Sequence, residues 1–588
     1  NVSSGSGLRN TAFGKNALND VTTGDNHIGI GAYAGEKLTT STMNTYIGTY
    51  SGRYNETGNQ NVAIGYESQR GVSSNNHYYN VSIGYQSLIE ITTGDANTAI
   101  GYQALSSMTT PDNNTAVGAN SFQYLTTGNN NVGVGHDAGY WATTGYYNTA
   151  VGADSMLYNR EGLENVFLGY YAGRGTYNTT QSYNTGVGSR SLYAVGSSGN
   201  YNTALGYKSG VAITSGSYNT YIGTEAGSSL SGQSYGTAVG AYALEKITVA
   251  GGTAFGFRAG RYNETGYNNT SIGYQSMVGV SGNSHSRNTA VGRDTLKVVT
   301  TGSDNTAIGD SSGDAITTGD YNVTAGAGGG GFITTGSNNV CIGRIAGNGI
   351  TTSSSNVMIG ALCGTNTSDS YNTYVGSEIA YGYIGGTYNA EYNTAMGYQA
   401  LYKVNSGDNN ACFGQQAGYN ISTGSQNTLI GSDAGDAITT GSNNTVIGYD
   451  AAAANATVDN SVTLGNSSIT SLRCQVQTIT ALSDARDKSD VETLPDATDF
   501  IKALNPVSFT WNQRDGGRKG IEDHGFIAQE LLTAQEETGY SVPDLVSEAN
   551  PDKLEAAYGR LLPSLVAVIQ QQQQTIETLE ARISALES

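Results

Sequence analysis

A short motif of the type Asn-Thr-Ala-Ile-Gly recurs along most of this chain. Its closing glycines run from Gly14 to Gly465 in 27 copies, and 19 of the 26 intervals equal 17 residues; the others span 16 to 21. A period this regular means one structural unit stacked many times, each turn burying its face against the next. A longer period lies on top of it. The 19-residue intervals end at Gly84, Gly188 and Gly292, 104 residues apart, and the 21-residue interval ends at Gly397, 105 further on. R-Y-N-E-T-G stands at Arg53–Gly58 and again 208 residues later at Arg261–Gly266. A block of six coils was duplicated.

Consider the coil from Asn97 to Asn113. Asn97–Ile100 reads as a short strand, and Gly101 permits a bend without a Cβ clash. Tyr102–Leu105 reads as a second strand, and Ser106–Asn113 as the return turn. Ala99, Ile100, Ala104 and Leu105 are the expected inward residues. The expected fold class is mainly β, a stacked parallel β-roll or β-helix of 17 residues per coil. At about 4.8 Å per coil, the copies would span about 130 Å. Asn stacked on Asn at each coil start would add hydrogen-bonded ladders. Composition agrees: 37% of residues are hydrophobic and 82 are Gly, too little for a thick aliphatic core. Disorder is the competing reading. The strict period, 41 Tyr and only six Pro argue against it.

The composition changes near residue 475. From Ser483 to Ser588, 28 of 106 residues are charged, against 46 of 482 before it, and five of the six prolines follow the change. The expected organisation is a shaft over 1–474, a linker over 475–482 and a terminal module over 483–588. The module opens Ser483-Asp484-Ala485-Arg486-Asp487-Lys488. A helical-looking stretch follows over Val491–Leu504, then a strand candidate over Pro506–Trp511, then Gly525-Phe526-Ile527-Ala528-Gln529-Glu530. A heptad ends the chain: Leu562, Ile569, Ile576 and Ile583 on one seam, Leu565, Gln572, Leu579 and Leu586 on the other. This predicts a parallel coiled coil over 562–588 with Gln572 as a polar layer setting register. The Ile and Leu seams alone lean toward two strands.

Several functions are disfavoured. Net charge is −20, and no basic patch stands ready for a phosphate backbone, so nucleic acid is not an expected partner. No stretch approaches the roughly 20 apolar residues of a membrane span. Cys341, Cys363, Cys412 and Cys474 lack metal-ligand spacing; three of them sit at strand positions, which predicts buried thiols. Gly328–Gly331 has no following Gly-Lys-Ser/Thr and reads as a turn. Asp25, Asp95 and Asp320 read as turn chemistry rather than calcium ligands. Tyr66, Tyr85, Tyr102, Tyr207, Tyr274, Tyr398 and Tyr449 follow closing glycines and read as a ladder packing coil on coil, with sugar stacking the alternative. No carboxylate pair breaks the repeat as a glycosidase would require. No cofactor and no metal are expected.

The repeat from Asn10 to Gly465 resembles the head repeats of trimeric bacterial adhesins, which are left-handed parallel β-rolls, and repeats of phage fibres. The motif order from Ser483 onward resembles the intramolecular chaperone domain of phage endosialidases and tail spikes, the S74 peptidase family, found also in myelin regulatory factors. That resemblance implies a homotrimeric virion tail fibre with a host-surface glycan or protein as receptor. Other tail proteins would bind its N-terminal end. It also implies a single-turnover self-cleavage at Leu482–Ser483 by a Ser483–Lys488 dyad, with no external substrate. A serine hydroxyl needs a base, and a lysine is one only when burial or a neighbouring cation lowers its pKa; Arg486 is the candidate cation. Five residues along a helix turn about 140°, so a bend between them, or a dyad completed across subunits, is required. His524 is a second candidate base, and Ser483 as a helix cap is the plain structural reading. The alternatives are a trimeric surface adhesin and a capsule depolymerase.

Overall fold

The computed structural model describes residues 9–588 apart from 73–74, 250, 366–367, 383–388, 470, 474–482, 513–518, 549–551 and 553. Cys474 and Leu482 thus lie outside the described residues. The chain falls into two compact units, Asn1–Ala361 and Leu362–Ser588.

In the first unit, strands of three or four residues run from β1 (Thr11–Phe13) to β21 (Val357–Ile359). Each pairs in parallel with the next, one coil on. β6 (Thr98–Ile100) lies on β7 (Thr115–Val117) with Thr98 opposite Thr115 and Ile100 opposite Val117. The second unit opens with coils of the same kind, β22 (Thr373–Val375) to β27 (Val462–Leu464), paired in the same way. The chain is mainly β, a parallel solenoid with a 17-residue coil, as the repeat predicts.

The coil departs from expectation in two places. Tyr102–Leu105 is not a strand. Gln103 and Leu105 adopt φ of 53° and 52°, so amides point alternately down and up the stack. Gln103 N–H donates to Tyr85 O one coil back (2.9 Å), and Leu105 N–H to Ser121 O one coil ahead (3.1 Å). Neighbours on both sides satisfy the backbone this way, which overrides side-chain strand preference. Ile100, expected inside, points outward and is 36% exposed, while Ala99 is fully buried. Side chains alternate along a strand, so a three-residue strand turns only its middle residue inward.

The asparagine ladder is present. Asn131 N–H and Nδ2 both donate to Asn114 Oδ1 (2.9 and 3.1 Å), and Nδ2 also donates to Gly145 O (2.9 Å). The pattern recurs in the second unit, with Asn427 on Asn410. Buried amides are tolerated because their hydrogen bonds are met. His27 takes an asparagine's place. Its Nδ1 accepts from Asn44 N–H (3.2 Å), and its Nε2 lies 2.8 Å from Ser41 O. Acceptance at Nδ1 puts the proton on Nε2, so the ring is neutral. Burial holds its pKa below the usual histidine value.

Glycine is required where coils touch. Gly101 has φ of 141°, and a Cβ there would stand 2.3 Å from the Gly118 carbonyl oxygen of the next coil. Elsewhere glycine makes room for rings: a Cβ on Gly133 or Gly139 would come within 2.6 or 2.3 Å of Phe122. The narrow core is close-packed by such size matching. Cys341 and Cys412 hold middle strand positions and are buried; burial pushes the Cys341 thiol up to about 12. Asp95 and Asp320 each accept a backbone N–H from the preceding coil, Tyr78 and Ser303 respectively (2.7 Å), and Asp25 pairs with Arg9. These are turn roles, as expected.

The second unit also holds a small α+β region. α1 (Thr498–Ala503) precedes an antiparallel hairpin of β28 (Val507–Asn512) and β29 (Lys519–Gly525), then α2 (Ala528–Thr538). A two-residue pairing of β30 (Val546–Ser547) with β31 (Glu555–Ala556) leads to α3 (Leu562–Glu587). Phe500, Leu531, Tyr540, Leu545, Leu561 and Val568 form its core, with Phe500 stacked on Tyr540 at 5.2 Å. The helix expected over Val491–Leu504 is shorter. Pro495 disfavours the α conformation at Leu494 and supplies no N–H. The helix therefore starts only at Thr498, whose N–H donates to Asp496 Oδ1 (2.8 Å).

Candidate functional site

Asp484 shapes the start of the terminal region. Its Oδ1 accepts the Arg486 N–H (2.9 Å) and caps a single 3-10 turn, Ala485–Asp487. The cap is therefore Asp484, not Ser483. The chain then leaves in an extended conformation at Lys488 (φ −123°, ψ 133°). That bend brings residues five apart together: Lys488 Nζ donates to Ser483 Oγ at 2.6 Å within one chain. Both side chains are exposed.

Arg486 faces elsewhere. Its guanidinium forks onto Asp484, with Nε 3.0 Å from Oδ1, and this bond holds the Asp484 carboxyl below its usual range. Among the described contacts Arg486 spends its charge on Asp484 rather than beside Lys488. His524 lies on β29 opposite Ser508, and nothing among the described residues joins it to Ser483.

Residues 483–540 match the family model of the chaperone of endosialidase. The match begins on Ser483 itself. Together with the solenoid of stacked coils, this chaperone region fits a tail fibre or an endosialidase-like protein. No curated protein and no solved structure matches the chain.

Beyond the matched segment, α3 presents the expected heptad residues to solvent. Leu562, Leu565, Ile569, Ile576, Leu579, Ile583 and Leu586 are all exposed, Leu586 at 86%. Only its first turns touch the core, through Ser564 and Val568. Gln572 is exposed on the same helix.

Sequence reasoning missed an outward aliphatic row on the coils. Ile100, Val134, Leu168, Ile222 and Ile272 in the first unit are exposed just before the closing glycine; Met396, Ile430 and Ile447, with the aromatic Phe413, are in the second. The signal was legible: that position is almost always aliphatic, although a strand exposing it to water would tolerate polar residues. Tyr66, Tyr85 and Tyr102 do stack coil on coil, at 5.4 and 5.3 Å, and remain partly exposed. A second ladder, Tyr183–Tyr201–Tyr218–Tyr235, stands one residue before Asn184, Asn202, Asn219 and Gly236. Among the described residues, one group of three potential metal ligands occurs, His136, Asp137 and Asp154. No described helix is long and apolar enough to cross a membrane.

Proposed function

We propose that this chain is a structural phage tail fibre for host-surface attachment, assembled as a homotrimer by a C-terminal chaperone that cuts itself off. The observation that carries the reading is α3, whose aliphatic seam stands exposed C-terminal to a chaperone-matched segment. A helix with that seam is incomplete alone, and a coiled coil of three copies buries it. The outward row on the coils has the same need. Covering each such side chain contributes on the order of 1 kcal/mol, repeated at every coil. The shaft occupies 1–474, the linker 475–482 and the chaperone 483–588. Three chains gathered at their ends meet the loop-closure cost of a multi-chain β-stack before stacking begins.

The Ser483–Lys488 contact supports a cleavage step. Lys488, as the neutral amine, takes the Ser483 Oγ proton while that oxygen attacks the Leu482 carbonyl carbon. An ester forms between Leu482 and Ser483 Oγ, and the Ser483 nitrogen leaves with the proton. Water then hydrolyses the ester. A lysine becomes neutral near pH 7 only on losing water or gaining a cationic neighbour. Lys488 is exposed in the single chain, so in this proposal its burial arrives with the other subunits, and cleavage waits for assembly. The mature fibre sits in the virion tail, held by other tail proteins at its N-terminal end, and binds a host-surface glycan or protein.

The test is expression of the whole chain, read by gel and intact mass. Fragments near 1–482 and 483–588 are expected, with native mass giving three copies of the larger one. Ser483→Ala and Lys488→Ala each leave a full-length trimer. A wild type that stays whole removes the cleavage step; a monomeric wild type removes the fibre.

A further inference from the structure

Several aromatic runs of the first unit are ladders in which like positions stack in parallel, as in Tyr183–Tyr201–Tyr218–Tyr235. The coils closing on Gly118 to Gly169 combine such a stack with edge-on rings. Tyr124 and Trp141 stack face to face at 4.6 Å with 3° between their planes. Tyr140 stands edge-on to both, at 5.1 Å each. The next coil interval, Gly169 to Gly188, is 19 residues long, and its extra length carries Tyr177. That ring meets Trp141 edge-on at 6.1 Å and Tyr158 at 5.9 Å, yet is 71% exposed. Rings from four coils thus converge in mixed orientations into a shelf. One of the chain's two tryptophans lies at its centre.

Polar groups border the shelf. His136, Asp137 and Asp154 bring one ligand atom each within 4.8 Å of one another. Asp137 Oδ1 accepts from Asn120 Nδ2 (3.0 Å), which fixes that carboxylate. Burial, then the hydrogen bond to Tyr124 and the charge of Asp137, push the Tyr140 phenol up to about 12. Arg174 packs its guanidinium against Tyr158, Tyr171 and Tyr193 at 4.8, 5.6 and 5.2 Å. Its Nη1 donates to Tyr193 Oη (3.1 Å), while its Nε is buried without a partner.

We propose that the Trp141–Tyr177 shelf, with the His136–Asp137–Asp154 rim, is a binding site for neutral hexose units of a polysaccharide. Indole and phenol faces take the apolar C–H face of a pyranose, while the Asp137 and Asp154 carboxylates and the His136 imidazole pair with its hydroxyls. The two rim carboxylates disfavour uronic and sialic acids by like charge. Four coils at about 4.8 Å give the shelf a span of about 15 Å along the stack, room for a run of sugars. The exposed aliphatic row belongs to the strand side of the coil, whereas Trp141 comes six residues after the closing glycine, on the turn side. Subunit packing and sugar binding therefore use different positions. This site rests on the attachment reading and places its glycan contact.

The test uses the full chain with Trp511→Phe, so that Trp141 alone reports by fluorescence. It is titrated with a neutral O-antigen polysaccharide panel and, in parallel, sialylated and uronic-acid capsular polysaccharides. Saturable binding to a neutral polysaccharide with a shift in Trp141 emission is expected. Tyr177→Ala, read by surface plasmon resonance, should weaken binding about ten-fold, Trp141→Ala at least as much, and Tyr201→Ala in the ladder not at all. Tyr177 is so exposed that its loss leaves the fold intact, which a thermal melt checks. Binding unchanged in both Tyr177→Ala and Trp141→Ala overturns the site, as does preference for the acidic polymers or no binding to any neutral one. Native mass and cleavage judge the fibre reading separately, so it survives any of these outcomes.

Discussion

The coils and the chaperone region solve the burial problem in opposite ways. The chaperone has an ordinary non-repeating core in which Phe500, Leu531 and Tyr540 meet residues far away in sequence. Each coil instead meets the coil one period before and after it, and it buries polar asparagines while leaving aliphatics such as Ile100 outside. Repetition makes that inversion possible. A ladder satisfies an interior amide at every level, and an outward aliphatic row recurs from coil to coil. Farther along the chain, α3 likewise exposes a row of aliphatic residues, Leu562 to Leu586. The two regions share one lesson: exposed apolar surface is laid out in lines rather than patches.

Acid should separate the regions most. His77 and His285 are buried among the coils, and burial lowers their pKa from 6.5 to about 3 and about 4. Their folded pKa values lie below the unfolded ones, so the unfolded chain binds more protons below pH 6.5. Stability is full above that pH and falls as pH drops from 6.5 toward 4, by on the order of 1 kcal/mol per pH unit for each histidine. The chaperone's described histidine, His524, is exposed. A melt of the shaft that shifts down by several degrees between pH 7 and pH 4, with the isolated chaperone signal unmoved, sharpens the contrast. Equal shifts break it.

Gly101→Val is the next largest effect. A Cβ at φ 141° meets the adjacent carbonyl at 2.3 Å, so at least about 3 kcal/mol of shaft stability should go, read by thermal or denaturant unfolding. Gly539→Ala in the chaperone has nothing within 4 Å of the new Cβ. It pays only for its φ of 67°, about 1 kcal/mol. Asn114→Ala removes the acceptor shared by Asn131 N–H and Nδ2. Leaving buried donors unmet should cost about 2 kcal/mol, and hydrogen exchange should rise in the coils on either side. Smallest is Tyr201→Ala, which interrupts one exposed ladder and should cost about 1 kcal/mol or less. For the chaperone, Ile576→Asp should shift native mass from trimer to monomer while leaving α1, α2 and the hairpin folded by circular dichroism.

The period, the glycine corner and the asparagine ladder were legible because each is a local rule restated at every coil. The heptad was legible for the same reason. Leu562 to Leu586 carries a regular spacing that needs no knowledge of partners to be seen. The Ser483–Lys488 approach was legible only as a requirement, since the helical spacing pointed the side chains apart and the needed bend came from Asp484 capping a single turn. Tyr102–Leu105 misled because strand preference speaks of side chains, whereas coils above and below set its alternating φ. Ile100 misled because hydrophobicity alone does not say which way a three-residue strand faces.

Sequence by itself determined that this chain is a stack of like coils followed by a charged module with a helical seam, because periodicity survives without three-dimensional context. Only the tertiary structure decided which side of each strand meets the core, where aromatic rings from different coils converge around Trp141, and that Lys488 reaches Ser483. Those are distances between residues whose order in the chain carries no direction, and direction is set by the backbone of the neighbouring coil or turn.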